Sequence, residues 1–223
     1  MFGSRENDLL RKALALYAGD HVLQHVLRNG ERAFVVDPAD IDLTVMFVDV
    51  AGNFSEIRED LTPNELNEFM ASFLEVTTNG IVESGGTVDM YVGDSTSAWW
   101  GAKEEKDHAQ SAVRCARQLV AEMSRLNQTF QGKGWPTLRL CVGIASGRVR
   151  LGTYGTSKRL RYSVLGDTVN LSSRLCGLAA GHYPHAVLVA DSTQKRLGAS
   201  SSLVPVDTVR VKGRDEPVQL FTV

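Results

Sequence analysis

Two aspartates each end a stretch of sequence that has the apolar composition of a β-strand. Asp49 follows the buried-strand pattern of residues 43–48, and Asp94 lies at the tip of a β-hairpin predicted for residues 87–100. If these strands share one sheet, the two carboxylates converge, and each raises the pKa of the other unless a cation is bound. Oxygen ligands of this kind suit Mg²⁺ or Mn²⁺. An aspartate after a strand is also a common turn former or helix cap, so the pair alone leaves its chemistry open.

A second group of polar side chains follows in the C-terminal half. Arg148 comes after another predicted strand, and Asn170 and Arg174 are four residues apart on one face of a predicted helix. Lys212 precedes a glycine. By themselves these residues are as typical of a capped turn, a surface ion pair and an ordinary loop as of a binding site.

The elements that must position these residues alternate between strands and helices. The clearest is a helix that opens with the capping box Thr62-Pro63-Asn64-Glu65 and carries one apolar stripe. The other predicted elements are helices within the first thirty residues, at 107–126, 166–178 and 191–197, strands at 43–48, 87–92, 95–100, 138–144 and 186–190, a loop or β-arm at 152–164, and a closing strand pair within 203–223. This order predicts an α+β fold, a mostly antiparallel sheet with helices on one face.

The composition is that of a globular protein. The 223 residues are 43% hydrophobic and 22% charged, which argues against a disordered or fibrous chain and favours one compact domain. A net charge of −2 provides no global field for nucleic acid or an anionic membrane, so no nucleic-acid partner is expected.

Cysteine use and hydropathy predict the compartment. The cysteines Cys115, Cys141 and Cys176 form no CxxC pair and are odd in number, which favours free thiols in a reducing compartment. No apolar run approaches the ~20 residues needed to span a bilayer, and the first residues are too polar for a signal peptide. We expect a cytoplasmic protein, or the cytoplasmic part of a membrane-anchored one.

Five segments together resemble the catalytic domain of the class III nucleotide cyclases, in a bacterial form. They are TVMFVDV at 44–50, GGTVDMYVGD at 85–94, VGIASGRV at 142–149, YSVLGDTVNLSSRL at 162–175 and VKG at 211–213, in the family's order and at its spacing. The resemblance implies a ferredoxin-like βαββαβ core sheet with helices on one face. It also implies a catalytic domain at 41–223, preceded at 1–40 by a helical linker or signalling segment that could join an upstream sensor or membrane module.

The resemblance further implies an enzyme, a phosphorus–oxygen lyase that acts as a homodimer with each active site built from both chains. Asp49, Asp94 and the backbone carbonyl of Val50 would hold two Mg²⁺ or Mn²⁺ ions on one chain. Asn170 and Arg174 would both come from the other chain, where Asn170 would orient the ribose and Arg174 would stabilise charge on the α-phosphate. The substrate would be ATP or GTP, and the products a 3′,5′-cyclic nucleotide and pyrophosphate.

Two cationic residues match family positions that hold the β- and γ-phosphates. These are Arg148 and Lys212, a forked donor and a point charge that both suit phosphate oxygens. Between Arg148 and Arg161 the sequence has five positive charges and no acid, which supports the phosphate role for Arg148.

The chain departs from the family pattern at two places. Met90 occupies the position where adenylate cyclases commonly have lysine and guanylate cyclases glutamate, and Ser163 resembles the threonine of many bacterial adenylate cyclases. A serine hydroxyl, like that threonine, can donate or accept a hydrogen bond. The resemblance to the adenylate cyclases at this position makes ATP the favoured substrate. The second departure is Asn53, an apparent one-residue insertion between Gly52 and Phe54, where backbone N–H groups are expected to cradle phosphate.

Other functions stay open beside the favoured one. Met90 and the Asn53 insertion are compatible with a degenerate domain that binds nucleotide or a partner without turnover, and a guanylate cyclase is a further alternative. A diguanylate cyclase or polymerase-palm relative also places paired aspartates on a similar sheet, but the segment 166–175 disfavours it.

Overall fold

The computed structural model describes residues 4–51, 60–102, 107–184, 186–198 and 201–223. These residues divide into two compact units. The first comprises Met1–Ile41 with Arg150–Leu165, and the second comprises Asp42–Val149 with Gly166–Val223. No helix among the described residues is long and apolar enough to cross a membrane.

The first unit combines N-terminal helices with a two-stranded ribbon. Helices α1 (Ser4–Ala18) and α2 (Asp20–Asn29) lead into a 3₁₀ turn (Gly30–Phe34), and the far end of β4 (Arg139–Thr156) pairs antiparallel with β5 (Arg159–Leu165). The Thr153 hydroxyl donates to the Ala33 carbonyl over 2.8 Å. The predicted helices are therefore present, and of the two alternatives for 152–164 the β-arm is the one that forms.

The second unit is built on a mixed sheet. Its elements are β1 (Ala39–Ala51), α3 (Pro63–Glu83), β2 (Thr87–Val92), β3 (Ser95–Trp100), α4 (His108–Gly132), the first part of β4, α5 (Asp167–Gly181), β6 (Val187–Ala190), α6 (Asp191–Leu197), β7 (Val204–Val209) and β8 (Val218–Thr222). The strand order is β2-β3-β1-β4-β6-β8-β7. Strands β4 and β6 are parallel, whereas β2 with β3, β1 with β3, β6 with β8 and β7 with β8 are antiparallel. The α+β fold class is confirmed.

Strand β4 shows how the sheet buries both of its faces. Leu140, Val142 and Ile144 belong to the larger core, which also contains buried residues of α3 and α4. Cys141 and Ala145, which alternate with them, belong to a second core formed with α5. The two long helices thus share one face as predicted, and α5 adds a layer on the opposite face.

Helix α5 approaches the sheet very closely at Gly143. A Cβ atom at this position would overlap the carbonyl oxygen of Ser172 and the amide nitrogen of Cys176. The buried Ser172 hydroxyl donates to the carbonyls of Val45 and Gly143 over 3.0 and 2.8 Å. The helix that carries Asn170 is therefore seated directly on β1 and β4.

The predicted capping box at the start of α3 is also present. Thr62 Oγ1 accepts a hydrogen bond from the Glu65 amide, and Glu65 Oε2 accepts one from the Thr62 amide. This reciprocal pair satisfies two backbone donors that the first turn leaves free.

Candidate active site

The predicted metal ligands Asp49 and Asp94 come together at one end of the sheet. Asp49 lies near the end of β1, and Asp94 lies in the turn between β2 and β3, beside Gly93, whose φ of 63° favours glycine. Burial, and secondarily the charge of Asp94, raises the pKa of Asp49, while a 2.7 Å hydrogen bond from the Val50 amide partly opposes the shift. The two carboxylates are thus close enough to interact.

This donor set fits a divalent metal ion that shares its coordination sphere with a substrate. Among the described residues no group of three or more histidine, cysteine, aspartate or glutamate side chains could hold a metal by itself. Mg²⁺, however, is often bound by one or two carboxylates together with water and substrate phosphates. Asp49, Asp94 and the Val50 carbonyl are compatible with that arrangement. A cation would stabilise the Asp49 carboxylate, whose pKa is raised by burial and, to a lesser extent, by the charge of Asp94.

Arg174 lies beside the turn that contains Lys212. A Cβ atom at Gly213 would be 3.5 Å from both terminal nitrogens of Arg174, so the guanidinium packs against this backbone. Gly213 has a φ of 78°, which a residue with a side chain rarely adopts. The structure therefore brings together two predicted phosphate ligands, half-buried Arg174 and exposed Lys212.

Asn170 and Arg174 lie on the outer side of α5, as their spacing predicts. The buried side chains Leu171 and Leu175 follow each of them directly and pack into the second core. Asn170 itself is exposed, one turn before Arg174. Its carboxamide is therefore presented on the same side of the helix as the guanidinium.

Arg148 lies within β4 rather than after a strand as predicted, because the strand continues to Thr156. At Arg148, β4 contacts the start of α5. The Thr168 hydroxyl donates to the Arg148 carbonyl over 3.2 Å, and a Cβ atom at Gly147 would lie 2.6 Å from Thr168 Oγ1. At the other side of the helix terminus, Asp167 forms a 2.7 Å ion pair with Arg214. These contacts link the strand that carries Arg148 and the turn that carries Lys212 to the same helix.

The remaining predicted site residues are placed as follows. Met90 is half-buried on β2, and Ser163 is buried in the first unit, opposite Gly152 on the β4–β5 ribbon. The phosphate-binding segment predicted at Gly52, Asn53 and Phe54 lies outside the described residues. The effect of the Asn53 insertion therefore stays a prediction.

Sequence reasoning missed the residues that hold the site in place. Thr168 and the Asp167–Arg214 ion pair were not singled out, although both lie next to predicted motif residues. On β3, Ser97 lies directly opposite Met90. The sequence does not single out Ser97, because a hydroxyl in such a position is common on any half-buried strand.

Comparison with known families shows to which family a chain with this fold and these residues belongs. The model of the adenylate and guanylate cyclase catalytic domain matches residues 36–223. The chain therefore belongs to the adenylate and guanylate cyclase catalytic domain family, as the sequence motifs predict.

Individual relatives include cyclases of both substrate types. The adenylate cyclase of Anabaena cylindrica is 31% identical over 185 residues, which cover 81% of this chain and 36% of that protein. The crystal structure of the adenylyl cyclase CyaB from P. aeruginosa matches 84% of this chain and 95% of that chain, with a TM-score of 0.76 and 27% identity. The guanylyl cyclase Cya2 matches 83% of this chain and 92% of that chain, with a TM-score of 0.74 and 27% identity. The chain spans well under half of the length of the first curated relatives that it matches.

Proposed function

We propose that this chain converts a purine nucleoside triphosphate, ATP in preference to GTP, to the 3′,5′-cyclic nucleotide and pyrophosphate. The observation that carries the proposal is the pairing of Asp49 with Asp94 at one end of a cyclase-family sheet. In the reaction the ribose 3′-oxygen bonds to the α-phosphorus and loses its proton. The bond from the α-phosphorus to the bridging oxygen breaks, and pyrophosphate leaves with that electron pair.

The carboxylate pair prepares the nucleophile. Asp49, Asp94 and the Val50 carbonyl would hold two Mg²⁺ or Mn²⁺ ions. When bound, such ions make the 3′-hydroxyl more acidic and neutralise charge on the triphosphate. The charge of Asp94 contributes to the raised pKa of Asp49, which burial mainly causes, and this contribution supports a shared role for the two carboxylates.

The nitrogen-bearing side chains act on the ribose and the phosphates. Asn170 orients the ribose by hydrogen bonding, and Arg174 stabilises negative charge that builds up on the α-phosphate in the transition state. Lys212, beside Arg174, and Arg148 bind the β- and γ-phosphates and the leaving pyrophosphate. The contact of Arg174 with the backbone of Gly213 supports a common task for Arg174 and Lys212.

Each active site is assembled from two chains in a homodimer. Asn170 is exposed on the outer side of α5, where it can reach a neighbouring chain. In this arrangement Asp49 and Asp94 of one protomer face Asn170 and Arg174 of its partner, and a dimer contains two equivalent sites.

The preference for ATP rests on the residues predicted to contact the base. Met90 has no strong donor or acceptor, whereas the Ser163 hydroxyl can serve either role. Relatives with both names are found, so guanylate cyclase activity is the alternative within the same reaction.

The N-terminal helices suit a connecting segment. Leu9, Leu10, Leu16 and Tyr17 of α1 are exposed apolar residues, and the curated relatives are much longer than this chain. We propose that residues 1–40 receive a signal from an upstream sensor or membrane module, and that the catalytic unit works in the cytoplasm.

A regulatory binding domain without turnover is the second candidate. Met90 favours it, because a methionine cannot read a purine edge by a conventional hydrogen bond. The retention of Asp49, Asp94, Asn170 and Arg174 favours the enzyme.

Product analysis tests the proposal. The purified chain is incubated with ATP or GTP and Mn²⁺, and cyclic nucleotide and pyrophosphate are quantified. We expect both products in equal amounts, faster from ATP, with Arg174→Ala slower by about 10²–10³-fold because transition-state charge loses its partner. Arg125→Ala, which changes an exposed ion pair on α4, is the matched control and retains activity. No cyclic product from either nucleotide at high protein concentration would leave only the binding function.

A further inference from the structure

Two adjacent hydroxyl groups on β3 are buried without a hydrogen-bond partner. Thr96 is 0% exposed and Ser97 is 2% exposed, and neither Thr96 Oγ1 nor Ser97 Oγ has a partner among the residues that the structure describes. A buried hydroxyl that has lost water without gaining another partner destabilises the folded chain. Most buried polar groups in native proteins avoid this state, so each exception requires a physical explanation.

The register of the sheet places these hydroxyls on opposite faces. Ser97 pairs with Phe47 of β1, and Thr96 pairs with Val48, which belongs to the core under α3 and α4. Because side chains alternate along a strand, Phe47 shares its face with Asp49, two residues further on. Ser97 therefore lies on the face that carries the predicted metal ligand, and Thr96 lies on the core face.

A β-bulge sets Ser97 directly opposite Met90. Val88 pairs with Ala98 and Met90 pairs with Ser97, so Asp89 is the extra residue in β2. Bulges of this kind redirect side chains and are frequent next to active sites. Met90, Ser97 and Phe47 form one cross-strand row, with directly opposed Cβ atoms about 5 Å apart.

Met90 can give way to a ligand more readily than most residues. Its side chain is unbranched, has three rotatable bonds and is only half-buried. Since Met90 lies directly opposite Ser97, movement of its side chain against a planar purine would open access to the Ser97 hydroxyl. The Ser97 hydroxyl, which lacks a hydrogen-bond partner in the free chain, would then gain one from the nucleotide in the complex.

We propose that Ser97, which nothing in the sequence motifs singles out, is a base-binding residue whose hydroxyl bonds the substituent at position 6 of the purine. Oγ accepts from the 6-amino group of adenine and, with its hydrogen rotated, donates to O6 of guanine. Ser97 thereby supplies the polar contact that Met90 lacks. The proposal rests on the proposed function, since it places a purine nucleotide on this face of the sheet.

The test compares Ser97→Ala with Thr96→Val, since each removes one buried hydroxyl but on opposite faces. KM and kcat are measured for ATP, GTP and purine riboside triphosphate, which has no substituent at position 6. We expect Ser97→Ala to raise KM about 5- to 10-fold for ATP and GTP, the loss of one hydrogen bond, with little change in kcat. KM for purine riboside triphosphate should not change, and Thr96→Val should leave KM for all substrates unchanged.

Thermal unfolding and binding separate the remaining outcomes. If Ser97→Ala behaves as Thr96→Val does, with unchanged KM for ATP and GTP and a raised Tm, Ser97 is an uncompensated core hydroxyl and the proposal is wrong. An equal rise of KM for all three nucleotides would also contradict it, because the contact would not involve position 6. Should the wild-type chain show no turnover, the same comparison is made by equilibrium binding of α,β-methylene ATP. Weaker binding to Ser97→Ala alone would then support the Ser97 contact while contradicting the cyclase function.

Discussion

The surroundings of Asp49 disfavour its negative charge. Burial is the larger cause and the neighbouring Asp94 carboxylate adds to it, so the pKa of Asp49 is raised from its ordinary value. The folded chain therefore binds this proton more tightly than the unfolded chain does. As the pH rises from the unfolded-state pKa through the folded-state pKa, the free energy of unfolding falls. At neutral pH, ionised Asp49 therefore lowers the free energy of unfolding of the metal-free chain. A bound cation would offset that loss.

Asp49→Asn should therefore stabilise the metal-free protein while abolishing its response to metal. We expect a higher Tm than wild type at pH 7 and no difference at a pH below both pKa values, because the wild-type carboxyl is then protonated too. Mn²⁺ at about 100 times its Kd should stabilise the wild type by about 2.7 kcal/mol and the variant by much less.

The measurement is thermal unfolding with and without Mn²⁺ at both pH values. Glu83→Gln, an exposed carboxylate at the end of α3, is the control and should retain the full response to Mn²⁺. An equal response in wild type and Asp49→Asn would show that Asp49 does not bind the ion.

At this scale the sequence predicted residue types better than their surroundings. Asp49 and Asp94 could be named because strand ends and hairpin tips are recognisable from local patterns. Ser97 could not, because its significance depends on a bulge at Asp89 and on burial created by neighbouring strands. Such properties arise from register, which a single strand does not encode.

At the scale of elements, the position of α5 depends on the absence of a side chain at Gly143. Its Cα lies against the backbone of α5, and the Ser172 hydroxyl bonds the Gly143 carbonyl. Helix and strand meet here at backbone distance, so the outer side of α5, with Asn170 and Arg174, is held at a fixed position relative to β4. Packed backbones cannot separate locally without disrupting the second core.

Gly143→Ala should consequently disrupt the packing of α5. We expect a loss of about 3 kcal/mol or more, since the new methyl group would overlap backbone atoms rather than a movable side chain. Gly177→Ala is the matched control, because Gly177 lies on the same helix with nothing within 4 Å of the added atom. It should gain up to about 1 kcal/mol from helix propensity.

Denaturant unfolding of both variants, followed by circular dichroism, distinguishes these effects. A Gly143→Ala protein as stable as wild type would mean that α5 can move away from β4 at no cost. Activity of the Gly177→Ala protein should remain close to that of wild type.

Individual elements followed from the sequence, whereas their assembly did so only in part. The capping box at Thr62 and the apolar stripe of α3 predicted that helix from local signals alone. The layer formed by α5 on the second face was not predicted, because its apolar positions fit packing on either side of a sheet. The sequence does not distinguish a loop from a β-arm at 152–164, since many exposed residues of the β4–β5 pair are polar or charged.

At the scale of the whole molecule, a nearly neutral chain binds a highly charged substrate only by local concentration of charge. The net charge is −2, yet Arg148, Arg174 and Lys212 lie on elements that contacts with α5 hold together. Two divalent ions at Asp49 and Asp94 would provide the remaining positive charge. The near-neutral surface is therefore compatible with a triphosphate substrate.

The carboxylates and the cationic residues of the site lie on different elements. Asp49 lies on β1 and Asp94 in the turn between β2 and β3, whereas Arg174 lies on α5, Lys212 in the turn before β8 and Arg148 on β4. In the proposed dimer each active site combines the carboxylates of one protomer with Arg174 of its partner. A protomer that lacks Asp49 can therefore still contribute Arg174 to the site that uses its partner's carboxylates.

Mixing Asp49→Ala with Arg174→Ala protein tests this directly. Each variant alone should retain no more than about 1% of the wild-type rate. Random exchange makes half of the dimers mixed, each with one intact site, so cyclic nucleotide formation should recover to about a quarter of the wild-type rate. Mixtures of either variant with the double variant Asp49→Ala/Arg174→Ala contain no intact site and should stay at or below about 1%. Failure of the first mixture to recover activity, with subunit exchange shown by co-purification of differently tagged chains, would contradict an active site shared between two chains.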